Sequence, residues 1–69
     1  MKFKIGRKYR IFFDKGNPNN RTIHIRAIVD EEYYVVRYWG KHKRHWIYQI
    51  EYKSHLDLLD YAKHIKEVK

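Results

Sequence analysis

Apolar and polar residues alternate in separate stretches of this chain, and that pattern predicts strands. Over residues 7–13 the run RKYRIFF places Tyr9, Ile11 and Phe13 on one face and Lys8, Arg10 and Phe12 on the other. The following DKGNPNN gathers Asp14, Gly16, Asn17, Pro18, Asn19 and Asn20, residues that favour turns for separate steric reasons. Residues 21–29 (RTIHIRAIV) alternate again, with Ile23, Ile25, Ala27 and Val29 expected inward and Thr22, His24 and Arg26 outward. Asp30, Glu31 and Glu32 form a short acidic turn. The third strand, 33–39, is apolar or aromatic on both faces, so one side is expected to meet the core and the other a second layer or a ligand. Residues 44–52 put Trp46, Tyr48, Ile50 and Tyr52 together and leave His45, Ile47, Gln49 and Glu51 on a more solvent-like face.

The period then changes. Leu58, Tyr61, Ala62, Ile65 and Val68 follow helical spacing, and Ser54 with Asp57 three residues on reads as a helix start. A helix over about 55–66 is expected. The competing arrangement is a shorter helix, with 64–68 as a fifth strand. All 69 residues form one domain, and so short a chain buries only about 60% of its unfolded surface. With no cysteine to staple it, the core depends on aromatic and β-branched packing. The expected class is mainly β with an α+β character: a strongly twisted four- to five-stranded antiparallel meander. Such a sheet is expected to curl into a small barrel, its open end covered by a C-terminal helix.

Charge changes the picture most. Sixteen Lys and Arg against eight Asp and Glu give a formal net charge of +8, which draws polyanions to so small a surface. No apolar run approaches the ~18 residues of a membrane span, and the opening MKFKIGRKYR does not read as a signal peptide. A non-secreted, cytoplasmic protein is therefore expected, with no membrane contact. A basic domain can also be merely soluble.

The candidate chemistry concentrates between Tyr33 and Tyr52, which hold seven of the twelve aromatic side chains on either side of the turn GKHK. Lys41, Lys43 and Arg44 at this hairpin tip, with Arg37 and Arg26 on adjoining strands, are the candidate phosphate contacts. Tyr34 and Tyr38 are the candidate stacking rings, on the condition that Tyr33, Val35 and Trp39 face the core. His42 and His45 lack a Cys or nearby acid to complete a metal site, and no cofactor is implied. Histidines near pKa ~6.5 would tighten polyanion binding at pH 6 relative to pH 7.5. Without a P-loop, HExxH or nucleophile motif, no enzymatic activity is expected. The expected function is a nucleic-acid-binding module for DNA or RNA. The alternative is a protein-interaction module docking on an acidic partner, as a monomer or weak homodimer.

In layout the chain resembles the SH3-like small barrels, including Tudor-, chromo-like and archaeal chromatin-protein types. The resemblance is carried by the opening IGRKYRI, the long first loop, IHIRAIV, the hairpin through GKHK and the last helix. It implies a closed barrel and, by analogy with Tudor-like domains, an aromatic cage walled by Tyr33, Tyr38, Trp39 and Trp46. The runs VVRYW and W-x-Y are also similar to those of small orphan proteins of bacteriophages, which carry no assigned role; within the protein-interaction alternative such a chain would be a phage-type host-directed protein.

Overall fold

A computed structural model describes residues 1–69. The alternating stretches become β1 (Lys8–Ile11), β2 (Arg21–Val29), β3 (Tyr33–Gly40) and β4 (His45–Tyr52). Helix α1 (Lys53–Tyr61) and a last strand, β5 (Ile65–Val68), follow. All pairings are antiparallel, and the order across the sheet is β4-β3-β2-β1-β5.

The sheet is open, which corrects the expected SH3-like barrel. Closure would require β4 to meet β5, but these are its two edges. The second layer comes instead from α1, whose Leu56 and Leu59 enter a core with Phe3, Tyr9, Ile11, Ile23, Ile25, Tyr34, Val36 and Ile65. A helix on one face removes the need for the sheet to fold over itself.

The helix spans 53–61 rather than 55–66. It runs straight on from β4, and its N-cap is Tyr52 with no side-chain cap, so the expected Ser54 start is not used. It stops early because Lys63 turns left-handed (φ 61°) and the His64 N–H reaches back to the Leu59 carbonyl at 2.8 Å. This end reverses the chain, and β5 pairs with β1 through Lys8↔Val68, Tyr9↔Glu67, Arg10↔Lys66 and Ile11↔Ile65. The shorter helix and fifth strand, the competing arrangement, are thus the ones formed.

Two local features decide which face each side chain takes. In β2, Ile25 pairs with Val36 but Ala27 pairs with Val35, so Arg26 is an extra, bulged residue. Beyond it the alternation inverts. Ala27 and Val29, expected inward, turn to the outer face, opposite Val35 and Tyr33. In β4 the expected faces are exchanged outright. Ile47, Gln49 and Glu51 pair with the inner residues Tyr38, Val36 and Tyr34, while Trp46, Tyr48, Ile50 and Tyr52 point outward. Glu51 is buried there, held by Arg21 (3.6 Å), His55 (3.0 Å) and Gln49 (2.6 Å). Gly40 closes β3 where a Cβ would lie 2.7 Å from Ile47 Cδ1, so a larger residue would have to push the Ile47 side chain aside.

Candidate nucleic-acid interface

The inner face is sealed by α1, and the outer face is covered by nothing. Register shows what it carries. One row crosses four strands as Lys8↔His24↔Arg37↔Tyr48, and a second runs Lys66↔Arg10↔Thr22. Beside them lie Trp39↔Trp46 and, farther along, Val35↔Ile50 and Tyr33↔Tyr52. No carboxylate occupies any outer-face position of the five strands. None of Lys8, Arg10, Arg37 and Lys66 makes an ion pair; the protein's salt bridges use the N-terminus, Arg7, Arg21, Lys53 and His55 instead.

Like charges set opposite each other in a sheet are destabilising. Here Arg10 faces Lys66, and His24 lies between Lys8 and Arg37. His24 registers the arrangement: partial burial, then the charges of Arg37, Lys8 and Arg26, hold its pKa below the ordinary 6.5. The Trp46 ring at 5.1 Å completes its surroundings. Because the folded state disfavours the protonated imidazole, stability is complete above pH ~6.5 and falls as acid protonates the unfolded chain first. Urea titrations at pH 7.5 and 5.5 should therefore show a loss at the lower pH that is smaller in His24→Gln. Equal losses in the two proteins would disconnect His24 from the cation row.

The aromatic residues divide into a fixed hub and free rings. The hub is Trp46: the Arg37 guanidinium lies 4.1 Å from its centroid, and Trp39 meets it nearly perpendicularly at 5.3 Å. Arg37 also donates a long 3.4 Å hydrogen bond to the Tyr48 hydroxyl, and its buried Nε has no partner. Beside this hub Trp39 and Tyr48 stay 51% and 57% exposed, and at the far end of β4 Tyr52, packed on Tyr33, stays 58% exposed.

The β1–β2 loop and the β3–β4 turn rise at one end of the sheet and enclose an open groove of about 720 Å³. Thr22, His24, Trp39 and Trp46 line it from the outer face, with Lys41 and Lys43 on one wall. The opposite wall is held by its own asparagines. Asn20 accepts from the Phe13 N–H (2.8 Å) and donates to the Asp14 carbonyl (2.7 Å), while Asn17 accepts from the Asn19 N–H (2.8 Å). Arg44 closes the turn in a left-handed conformation (φ 54°), its N–H on the Gly40 carbonyl at 2.7 Å.

Of the residues picked out from the sequence, Lys41, Lys43 and Arg44 are exposed at this turn, Arg26 is exposed at the bulge, and Arg37 is half-buried at the centre of the outer face. Tyr34 and Tyr38 belong to the other side, and this is a correction. Tyr34 is 5% exposed, in the core against Phe3. Burial, with Asp57 and Tyr9 contributing, pushes its phenol above the ordinary tyrosine range. Tyr38 is half-buried on the inner face, with the Arg21 guanidinium 5.2 Å from its centroid. The condition for choosing them failed, since Tyr33, Val35 and Trp39 face outward. The aromatic cage fails for the same reason: Tyr38 lies across the sheet from Tyr33, Trp39 and Trp46.

Lys8, Arg10, His24 and Lys66, which share this face, were not among the candidates picked out from the sequence. The alternation of RKYRI and RTIHIRAIV already put the first three on outward positions. Lys66 needed β5, whose pairing is non-local. No three His, Cys, Asp or Glu side chains gather into a metal-binding group, and no helix is long and apolar enough to cross a membrane.

Compared with protein-family models, curated proteins and solved structures, the chain has no match in any of the three. The resemblance to SH3-like barrels fails on the open sheet. The likeness to bacteriophage proteins finds no support in these comparisons either; VVRYW and W-x-Y lie on the neighbouring strands β3 and β4, with side chains on both faces of the sheet.

Proposed function

We propose that this protein is a non-catalytic nucleic-acid-binding module that uses the outer face of its sheet. One observation carries the reading: Lys8, Arg10, His24, Arg37 and Lys66 share an acid-free face with uncovered aromatic rings, and none of the five is ion-paired. Like charges in register weaken the free protein. A phosphate backbone would relieve that repulsion and release its own condensed counterions. Lys41, Lys43 and Arg44 would extend the contact along the groove, and Arg26 would flank it at the bulge. A phosphate near His24 would also favour its protonated form, so affinity should rise from pH 7.5 to pH 6 at fixed salt.

In gel-shift titrations, affinity should fall steeply as salt rises from 50 to 200 mM. Lys43→Glu with Arg44→Glu should lower it severalfold while leaving the circular dichroism spectrum unchanged. Affinity indifferent both to salt and to this double variant would end the reading.

A second reading has its own observation. The far end of the outer face is apolar, with Val29, Val35 and Ile50 around the Tyr33–Tyr52 pair, and Ile50 is 66% exposed. That end, with two unpaired edge strands, would suit a protein-interaction module docking on a partner that is acidic opposite the cation rows. A purified complex that survives nuclease and moderate salt would favour it. Light scattering at two concentrations distinguishes a second copy of this chain from a foreign partner.

A further inference from the structure

We infer that the nucleic acid is single-stranded, with bases laid on Trp39 and Tyr48 and the backbone crossing the cation rows toward Lys8, Arg10 and Lys66. The inference rests on the nucleic-acid reading and narrows it to one form of ligand.

Spacing is the first argument. Trp46 and Tyr48 are two residues apart on the same face of β4, which separates their rows by about 7 Å. Trp39 lies directly across from Trp46, in the first of those rows. Stacked bases of a duplex strand rise only about 3.4 Å each. Seating neighbouring bases on Trp39 and Tyr48 therefore requires a strand whose bases are pulled apart.

Access is the second. Duplex bases show proteins only their edges, at the bottom of grooves that a helix or a β-ribbon must enter. The exposed rings here lie on β3 and the edge strand β4, flush with the face of a five-stranded sheet roughly 19 Å across, which as a whole is too broad for a groove about 12 Å wide. Near them only loops project: the short turn 41–44 and the β1–β2 loop that faces it across the groove.

The division of labour across the sheet is the third. Free rings occupy β3 and β4, while Lys8, Arg10 and Lys66 occupy β1 and β5. Arg37 and His24 lie between the two sets. A cleft at the β1–β5 edge, lined by Arg10, Lys63 and Lys66 with no carboxylate, continues the basic strip. Bases on one half and phosphates on the other is the arrangement a splayed strand presents. Stacking on aromatic side chains accepts any base, so little sequence preference is expected.

Both tryptophans lie on this face, so their fluorescence reports directly on stacking. The test titrates the full chain at low salt with 12-nucleotide thymidine and uridine homopolymers and with a 12-base-pair duplex. Single strands should quench the tryptophans and bind at least tenfold more tightly than the duplex. Trp39→Ala and Tyr48→Ala should each weaken single-strand binding by five- to tenfold with unchanged thermal unfolding, whereas Tyr48→Phe should keep the affinity. Duplex binding as tight as single-strand binding, or indifference to both alanine variants, overturns the inference and leaves nucleic-acid binding standing. Failure of all three probes to bind overturns the nucleic-acid reading itself.

Discussion

Tyr9→Ala is expected to leave much of the protein unfolded at room temperature. Tyr9 is fully buried, meets Phe3 edge to face with centroids 4.9 Å apart, and accepts the Lys4 N–H on its hydroxyl at 2.9 Å. It therefore ties the N-terminal segment to the centre of the sheet. Truncating a buried aromatic of this size costs about 3–5 kcal/mol. A 69-residue domain has only about 3–10 kcal/mol in total. Tyr9→Phe keeps the ring and removes only the hydroxyl, so its cost should be near 1 kcal/mol. Urea unfolding followed by circular dichroism measures both. A Tyr9→Ala midpoint equal to that of the wild type would mean the inner face is not the core.

The other large effect has opposite signs for stability and binding. Combining Lys8→Glu with Arg10→Glu converts two repulsive cross-strand neighbourhoods into attractive ones. The new carboxylate at position 10 would face Lys66, and the one at position 8 would face His24 beside Arg37. Exposed cross-strand pairs contribute roughly 0.2–1 kcal/mol each, so the double variant should melt at a higher temperature than the wild type. Its affinity for a single-stranded oligonucleotide should fall about a hundredfold at low salt, from two lost phosphate contacts and two new repulsions. A variant that folds better and binds worse identifies charges kept for a ligand. Thermal unfolding and fluorescence titration on the same sample test the pair. Weakened folding with unchanged affinity would assign Lys8 and Arg10 an ordinary structural role.

Much of the scaffold was legible because it is local. The turn-rich DKGNPNN and the acidic DEE bracket β2 so closely that its observed limits, Arg21–Val29, coincide with the alternating run. Period alone put Tyr9 with Ile11 on one face and placed Ile23 and Ile25 inward, and all four are buried. What escaped depends on pairing between distant segments. Nothing around Arg26 marks it as an unpaired residue, yet its bulge moves Ala27 and Val29 to the opposite face. Whether 65–68 continues a helix or joins a sheet depends on the free edge of β1, some fifty residues earlier in the chain. Barrel or open sheet is likewise decided by whether the first and last edges meet.

The exchange of faces in β4 has a different cause. Hydrophobicity measures what a side chain gains by leaving water and does not specify which surface it leaves water for. Trp46, Tyr48, Ile50 and Tyr52 look like a core row, and Glu51 looks like a solvent residue. The inner row of β4 is instead Ile47, Gln49 and Glu51, with Glu51 ion-paired to Arg21 and hydrogen-bonded to Gln49 and His55. Sequence reasoning therefore found the hairpin and assigned its rings to the opposite faces. A sharper signal was present in the distribution of charge: the outward positions of RKYRI, RTIHIR and YYVVRYW carry cations and no acid.

That the uncovered face of the sheet is where a polyanion binds is tested most directly by backbone amide shifts in the ¹⁵N-labelled protein during titration with a short single-stranded oligonucleotide. The largest changes should gather on Lys8, Arg10, His24, Arg37, Trp39 and Tyr48 and spread to the turn at Lys41–Arg44, with α1 unaffected. Changes centred on α1, or none at saturating oligonucleotide, would contradict the account.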